Sequence, residues 1–193
     1  MARVITIAAL VASVGCLSPR EDTSAFFLLS PTPSGISAIT PIDVAVGLGP
    51  IELPAYLDRS QIVVRLSDNQ VVLSDADRWA EPLAANLQRT LEENLAALLP
   101  GASFIDYPWY PAEAPDHAVA ITFRRFEANA TGAVVLDATW QVTSSGTSAS
   151  EQTTRVEEPP TGPDRGAAVA AQSRALARLT EEIAAAVRGA AGR

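Results

Sequence analysis

The first fifteen residues limit what the rest of this chain can fold into. Met1-Ala2-Arg3 is followed by Val4 to Val14 without a charge, then by Gly15-Cys16. One positive residue, a short apolar core and a small residue make the layout of a bacterial secretory signal. The apolar stretch is too short to cross a bilayer, which takes about 20 residues. Cys16 is the only cysteine in the chain. A thiol placed just after such a cut can take a thioether-linked diacylglyceryl group, and the new amino terminus can then be acylated. We expect residues 1–15 to be removed and the mature chain to start at Cys16 as a lipoprotein. Ser13 stands where such signals usually carry an aliphatic residue. A plain secretory signal that leaves a free thiol therefore stays open. A buried strand or helix would leave Arg3, the Gly15-Cys16 pair and the polar residues from Ser18 to Thr23 unexplained.

Two acyl chains give stable anchoring, at about 0.8 kcal/mol per buried methylene. The protein would then work at a membrane surface with no spanning helix. Leu17 is not the Asp that typically keeps lipoproteins at the inner membrane. The expected location is the outer membrane, lipid-anchored on its periplasmic face.

Removing 15 of the 193 residues leaves 178, enough for one domain with a full core. Residues 16–24 look like a tether and 25–193 like that domain. All 14 basic residues are arginine. A Schiff-base lysine and a phosphate-loop lysine are thereby excluded. The net charge of −8 argues against a nucleic-acid partner. One cysteine cannot form an internal disulfide. With a single histidine beside it, no zinc site of the usual His/Cys type can be assembled, and no cofactor motif is present.

Hydrophobic patterning then outlines the fold. Phe26 to Leu29 is a short first strand, closed by the loop Ser30 to Gly35. Ile42 to Val46 is a β-branched strand. Gly49-Pro50 and Pro54 interrupt its continuation, since proline cannot donate to a ladder, so the second half is expected to be an edge strand or an ordered loop. Gln61–Leu66 and Gln70–Leu73 flank Asp68-Asn69 as a hairpin. Ser74 to Asp77 marks a helix approach. Trp79, Leu83, Leu87, Leu91, Leu95 and Leu98 repeat at helical spacing, with Pro82 in the first turn and Pro100-Gly101 as the stop. Phe104 to Tyr107 is a short strand, and Pro108 to Pro115 an irregular aromatic loop. Val119–Phe123 and Val134–Val142 alternate with period two, as half-buried strands do. A Ser/Thr/Gly turn at 144–148 returns the chain through Glu151 to Val156. A helix from about Arg165 to Arg188 ends the domain, with Val169, Leu176, Leu179, Ile183 and Val187 as its apolar stripe. Its many alanines would suit close packing on a neighbouring subunit, though base composition alone also produces such helices. The order predicts an α+β two-layer sandwich, a largely antiparallel sheet with both helices on one face.

Catalytic signals are weak. No nucleophile elbow is present. His117 beside Asp116 is expected to be a solvated loop-end histidine. Asp75 and Asp77 are expected to cap the first helix rather than to pair as acid and base. No catalytic or metal-binding residues are assigned. Trp109 and Tyr110, between prolines, can serve either as an exposed contact or as a cover over one end of the core, and aromatics are enriched at interfaces. With Pro50, Pro54 and Tyr56 on the irregular edge, they make the candidate partner surface.

Two stretches carry a family likeness. Val46-Gly47-Leu48-Gly49-Pro50-Ile51-Glu52-Leu53-Pro54-Ala55-Tyr56-Leu57-Asp58-Arg59 leads into Gln61-Ile62-Val63, and Arg78-Trp79-Ala80-Glu81-Pro82-Leu83 opens the first helix. Together they resemble the ABC-type transport auxiliary lipoproteins, the family that includes the PqiC/YmbA proteins, from about Phe26 to Val187. The resemblance implies a periplasm-facing outer-membrane lipoprotein and no enzyme. It implies service beside an MCE-domain protein and an ABC permease–ATPase pair that move phospholipids or other hydrophobic molecules between membranes. It also implies homo-oligomeric rings. Of the family's features, only the lipidated cysteine maps onto a residue, Cys16. The alternative function is a pilot or assembly lipoprotein of another envelope machine, such as a secretion channel.

Overall fold

The computed structural model describes residues 23–32, 40–144 and 151–192. The expected signal at 1–15, Cys16, most of the tether, the Pro33-Ser34-Gly35 part of the first loop and the turn after Ser144 lie outside these residues. The order is β1 (Ala25–Phe27), β2 (Ala45–Glu52), β3 (Gln61–Ser67), β4 (Gln70–Trp79), α1 (Leu83–Leu98), β5 (Ser103–Asp106), β6 (His117–Asn129), β7 (Val134–Ser144), β8 (Glu151–Glu158) and α2 (Arg165–Ala191). A 3₁₀ turn, Pro111–Glu113, sits between β5 and β6.

All eight strands join one sheet, and its plan depends on β6. β7 runs antiparallel along one edge of β6 from His117 to Ala128, and β8 adds to β7 in the same sense. The other edge of β6 is shared. β2 takes its first half, pairing up to Thr122, and β3 takes only Ala128 and Asn129. The sheet therefore forks. One arm continues from β2 to β5, the other from β3 through the antiparallel β3–β4 hairpin to β1. The long pairings of β7 are antiparallel, while β1, β2 and β5 enter in parallel.

α2 packs across β6, β7 and β8, α1 across β2 and β5, and the helices pack on each other. Leu83, Leu87, Leu91 and Leu95 recur every four residues on α1, and each is at most 1 % exposed. Burying a leucine of this kind contributes about 2 kcal/mol. Val169, Leu176, Leu179, Ile183 and Val187 form the buried apolar stripe of α2. The buried alanines Ala168, Ala171, Ala175 and Ala184 are used within this chain, where they let the helix come close to its own sheet. On β6 the core face is carried by Val119, Ile121 and Phe123, then by Phe126 and Ala128. The change of parity follows from a register shift between Phe123 and Arg125, where one extra residue enters the strand.

Three local expectations are corrected. Ser74 to Asp77 is not a helix approach, because β4 runs on to Trp79. Backbone partners decide this: β1 lies beside Asp77, Arg78 and Trp79, Gln61 pairs with Arg78, and the Trp79 N–H donates to the Ser60 carbonyl at 2.7 Å. Asp75 and Asp77 therefore cap no helix; Pro82 is the residue before α1, with no side-chain cap. Asp77 instead accepts from the Ser74 hydroxyl and pairs with Arg165 at 2.9 Å. His117 is buried, not solvated, with its Nδ1 2.7 Å from the Ser144 hydroxyl across the β6–β7 ladder. The stretch after Gly49 is an edge strand, one of its two expected forms: Ile51 and Glu52 pair with β6 alone, since β5 stops opposite Leu48.

Candidate functional site

The aromatic loop between β5 and β6 folds back onto β2, and glycine makes this fit. A Cβ on Gly47 would lie 2.5 Å from Pro115 Cγ and 2.8 Å from Trp109 Cζ3. A Cβ on Gly49 would lie 2.5 Å from Tyr107 Cβ, and Gly49 has φ of 129°, a conformation that favours glycine. The strip Gly47-Leu48-Gly49 is thus a seat for Tyr107, Trp109 and Pro115. Tyr107 and Trp109 meet edge to face, with centroids 5.3 Å apart. The peptides Gly49–Pro50 and Tyr107–Pro108 are cis. Asp116 closes the loop by accepting the Ala45 N–H at 2.8 Å. Trp109 is half-buried in this arrangement, and Tyr110 is 73 % exposed. Pro50 and Tyr107 are also exposed, so the fold gathers Pro50, Tyr107, Trp109 and Tyr110 around one end of the sheet.

Tyr56 and Pro54 serve a different place. They belong to the segment joining β2 to β3, which passes the fork in the sheet. There Glu127 points away from the helices, because its neighbours Phe126 and Ala128 face the core. Its side chain is fully buried. Arg65 donates to it at 2.6 Å and Arg125 at 3.0 Å, and the Tyr56 hydroxyl donates at 2.8 Å. The Arg65 guanidinium also stands 5.5 Å over the Tyr56 ring. Burial alone would raise the Glu127 pKa, but the hydrogen bonds from Arg65, Tyr56, Arg125 and the Phe126 N–H outweigh it and hold the carboxyl below its usual range. Burial, and then the bond to Glu127, pushes the Tyr56 phenol up to about 12. Both groups stay locked in one protonation state near neutrality, which suits a clamp and not proton transfer. Tyr56 is half-buried in this clamp. Pro54 is half-buried too, with its carbonyl accepting the Leu57 N–H at 2.9 Å.

The two family stretches converge. Asp58, Arg59 and Ser60 from one, and Trp79 to Pro82 from the other, line a shallow cleft of about 360 Å³. Leu57 and Trp79 are buried beside it. Among the described residues, no group of three or more His, Cys, Asp or Glu side chains could hold a metal ion, and no helix is long and apolar enough to cross a membrane.

Three features are not marked by the sequence reading. One is Glu127. The others are Asn86 and Asn94, buried on α1 beside the leucines. Their side-chain oxygens accept the N–H groups of Leu29 and Thr32, at 3.2 and 3.0 Å. Ser173 of α2 accepts the Ser30 N–H and receives the Thr32 hydroxyl on its carbonyl. The chain after β1 is strapped between both helices in this way. The spacing Asn86-Thr90-Asn94, every fourth residue along one side of the apolar stripe, is the signal that could have found it.

The model of the "ABC-type transport auxiliary lipoprotein component" family matches residues 27–184. The chain belongs to that family. It is 28 % identical over 138 residues to the intermembrane transport lipoprotein PqiC of Escherichia coli (strain K12), covering 71 % of each chain. The PqiC protein of Shigella flexneri matches to the same extent. Among solved structures, an uncharacterized protein superposes with a TM-score of 0.72 at 22 % identity, over 86 % of this chain and 99 % of that one. Protein XCC0632 from Xanthomonas campestris superposes with a TM-score of 0.68 at 18 % identity, over 82 % and 92 %. These two likenesses establish a shared fold. The family is one of transport auxiliaries and not a known enzyme family.

Proposed function

We propose that this chain is a non-catalytic auxiliary subunit of an envelope transport system, lipidated at Cys16 and held on the periplasmic face of the outer membrane. The reading rests on the family match together with the similarity to PqiC proteins, which are named as intermembrane transport lipoproteins. Its partner is an MCE-domain protein served by an ABC permease and ATPase, and its cargo is lipid. One observation carries the mode of action: the Gly47-Leu48-Gly49 seat fixes an aromatic loop and leaves Tyr110 in solvent at one end of the sheet. A pre-ordered aromatic side chain is the kind of group that anchors a protein interface, since little entropy is lost when it docks. Pro50 and Tyr107 extend the same patch. Tyr56, committed to the clamp around Glu127, belongs to its support, and Pro54 holds the turn that carries Tyr56 there.

Two measurements test this. Intact mass of the protein extracted from membranes should give a chain starting at Cys16 with acyl groups added; an unmodified thiol would remove the anchor. Capture from solubilised membranes should recover an MCE-domain protein, and Tyr110→Ala should reduce that recovery at least tenfold with folding unchanged. Recovery of a secretion-channel protein instead would establish the pilot-lipoprotein alternative.

A further inference from the structure

The β3–β4 hairpin reaches beyond the rest of its arm. β3 touches β6 only at Val64 and Arg65, and β1 covers the outer edge of β4 only at Asp77, Arg78 and Trp79. From Gln70 to Ala76 that edge has no partner strand among the described residues. The projecting part is apolar. Leu66, Val71, Val72 and Leu73 are 43, 37, 39 and 40 % exposed. Successive strand residues point to opposite faces, so Val71 and Leu73 lie on one side and Val72 on the other. A folded partner docked on one face would leave the other face wet. A fluid apolar medium covers both.

The direction of the chain identifies that medium. β1 runs parallel to β4, with Ala25 opposite Asp77 and Phe27 opposite Trp79. The polypeptide therefore enters the domain from the side of the hairpin end. Between Asp77 and Gln70 the strand covers about 23 Å. From Cys16 to Ala25, the residue opposite Asp77, the chain can span at most about 32 Å. A lipid on Cys16 is thus on a leash comparable in length to the overhang, leaving from the same side. Phe26, 63 % exposed, continues the apolar border toward the point of entry.

We infer that the apolar β3–β4 hairpin rests in the surface of the bilayer that holds the anchor. It acts as a second membrane contact that fixes the orientation of the domain. This inference relies on the lipidation of Cys16 proposed above. It has a geometric corollary. β3 is parallel to β6 and meets it at Ala128 and Asn129, whereas the aromatic loop precedes His117. The loop folds over Gly47 and Gly49, beside Ala118 and Val119 of β6, so roughly 30 Å of strand separates it from the contact with β3. With the hairpin on the membrane, Tyr110 faces away from it.

The test uses the full lipidated protein in vesicles of phosphatidylethanolamine and phosphatidylglycerol. Val72→Cys and, separately, Tyr110→Cys carry an environment-sensitive dye, while an acylated Cys16 does not react. Lipids bearing a nitroxide near the headgroup should quench the dye at position 72 at least threefold more than the dye at 110. Val71→Cys provides a second reporter if Val72→Cys disturbs folding. Equal quenching at both sites, with protein still on the vesicles, overturns the hairpin contact and leaves the anchor intact. A shielded dye at 72 that lipid does not quench also overturns it, in favour of a second copy or another protein. If Cys16 takes the dye and the protein leaves the vesicles, the anchor fails and the inference falls with it.

Discussion

Glu127 has the most to lose among single residues. Its carboxylate is fully buried, while Arg65 and Arg125 keep 19 and 28 % of their side chains in solvent. Removing the acid from such a cluster leaves two cations and a phenol without their acceptor. Breaking a fully buried pair costs more, but here the arginines can rehydrate, so Glu127→Ala is expected to lower the unfolding free energy by about 2 kcal/mol in urea titrations. The pH dependence has a definite sign. The folded carboxyl sits below its unfolded value of about 4.3, so its stabilisation is complete above that pH and is lost as pH falls through the folded pKa. Glu127→Gln should flatten the fall in urea midpoint below about pH 4.3. In the sequence, this residue reads as a polar position between Phe126 and Ala128. Nothing local announces that the sheet divides there and that Tyr56 fills the gap.

At the level of elements, the seat on β2 makes a sharp demand. Gly47→Ala places a methyl group within 2.5 Å of Pro115 Cγ. Overpacking of this kind costs about 2 kcal/mol and displaces what it touches. The expected readout is a red-shifted emission from the tryptophan at 109 as it lifts from β2, measured with Trp79 and Trp140 replaced by phenylalanine. An unchanged spectrum would show that the loop does not depend on the glycine. The elements themselves were largely legible. Four-residue spacing of leucines marked α1, period two marked β6 and β7, and Asp68-Asn69 marked the hairpin, because each pattern is a local property of the chain. The last residues of β4 were not legible. Their partners come from Ala25–Phe27, some fifty positions earlier in the chain, and the Asp-rich stretch before Pro82 has the composition of a helix start. Tyr56 lies six positions after Pro50, and nothing local shows that the intervening turn carries its hydroxyl to Glu127.

For the whole molecule, the decisive connection is the one between the entering chain and the two helices. Asn86→Ala with Asn94→Ala removes the acceptors for Leu29 and Thr32. Each lost bond costs about 1 kcal/mol, and the effect should be local. Amide exchange at Leu29 and Thr32 should accelerate at least tenfold while the amides of β6 and β7 stay protected. Uniform acceleration would instead assign the asparagines to global stability. The same connection has a mechanical meaning. A tug from the envelope would arrive along the axis of β1, loading its bonds to β4 together in shear instead of peeling them one at a time. Behind them the side-chain straps grip both helices, so tension on the leash proposed at Cys16 would be delivered into the core, and a subunit so anchored would bear strain between the membrane and its partner.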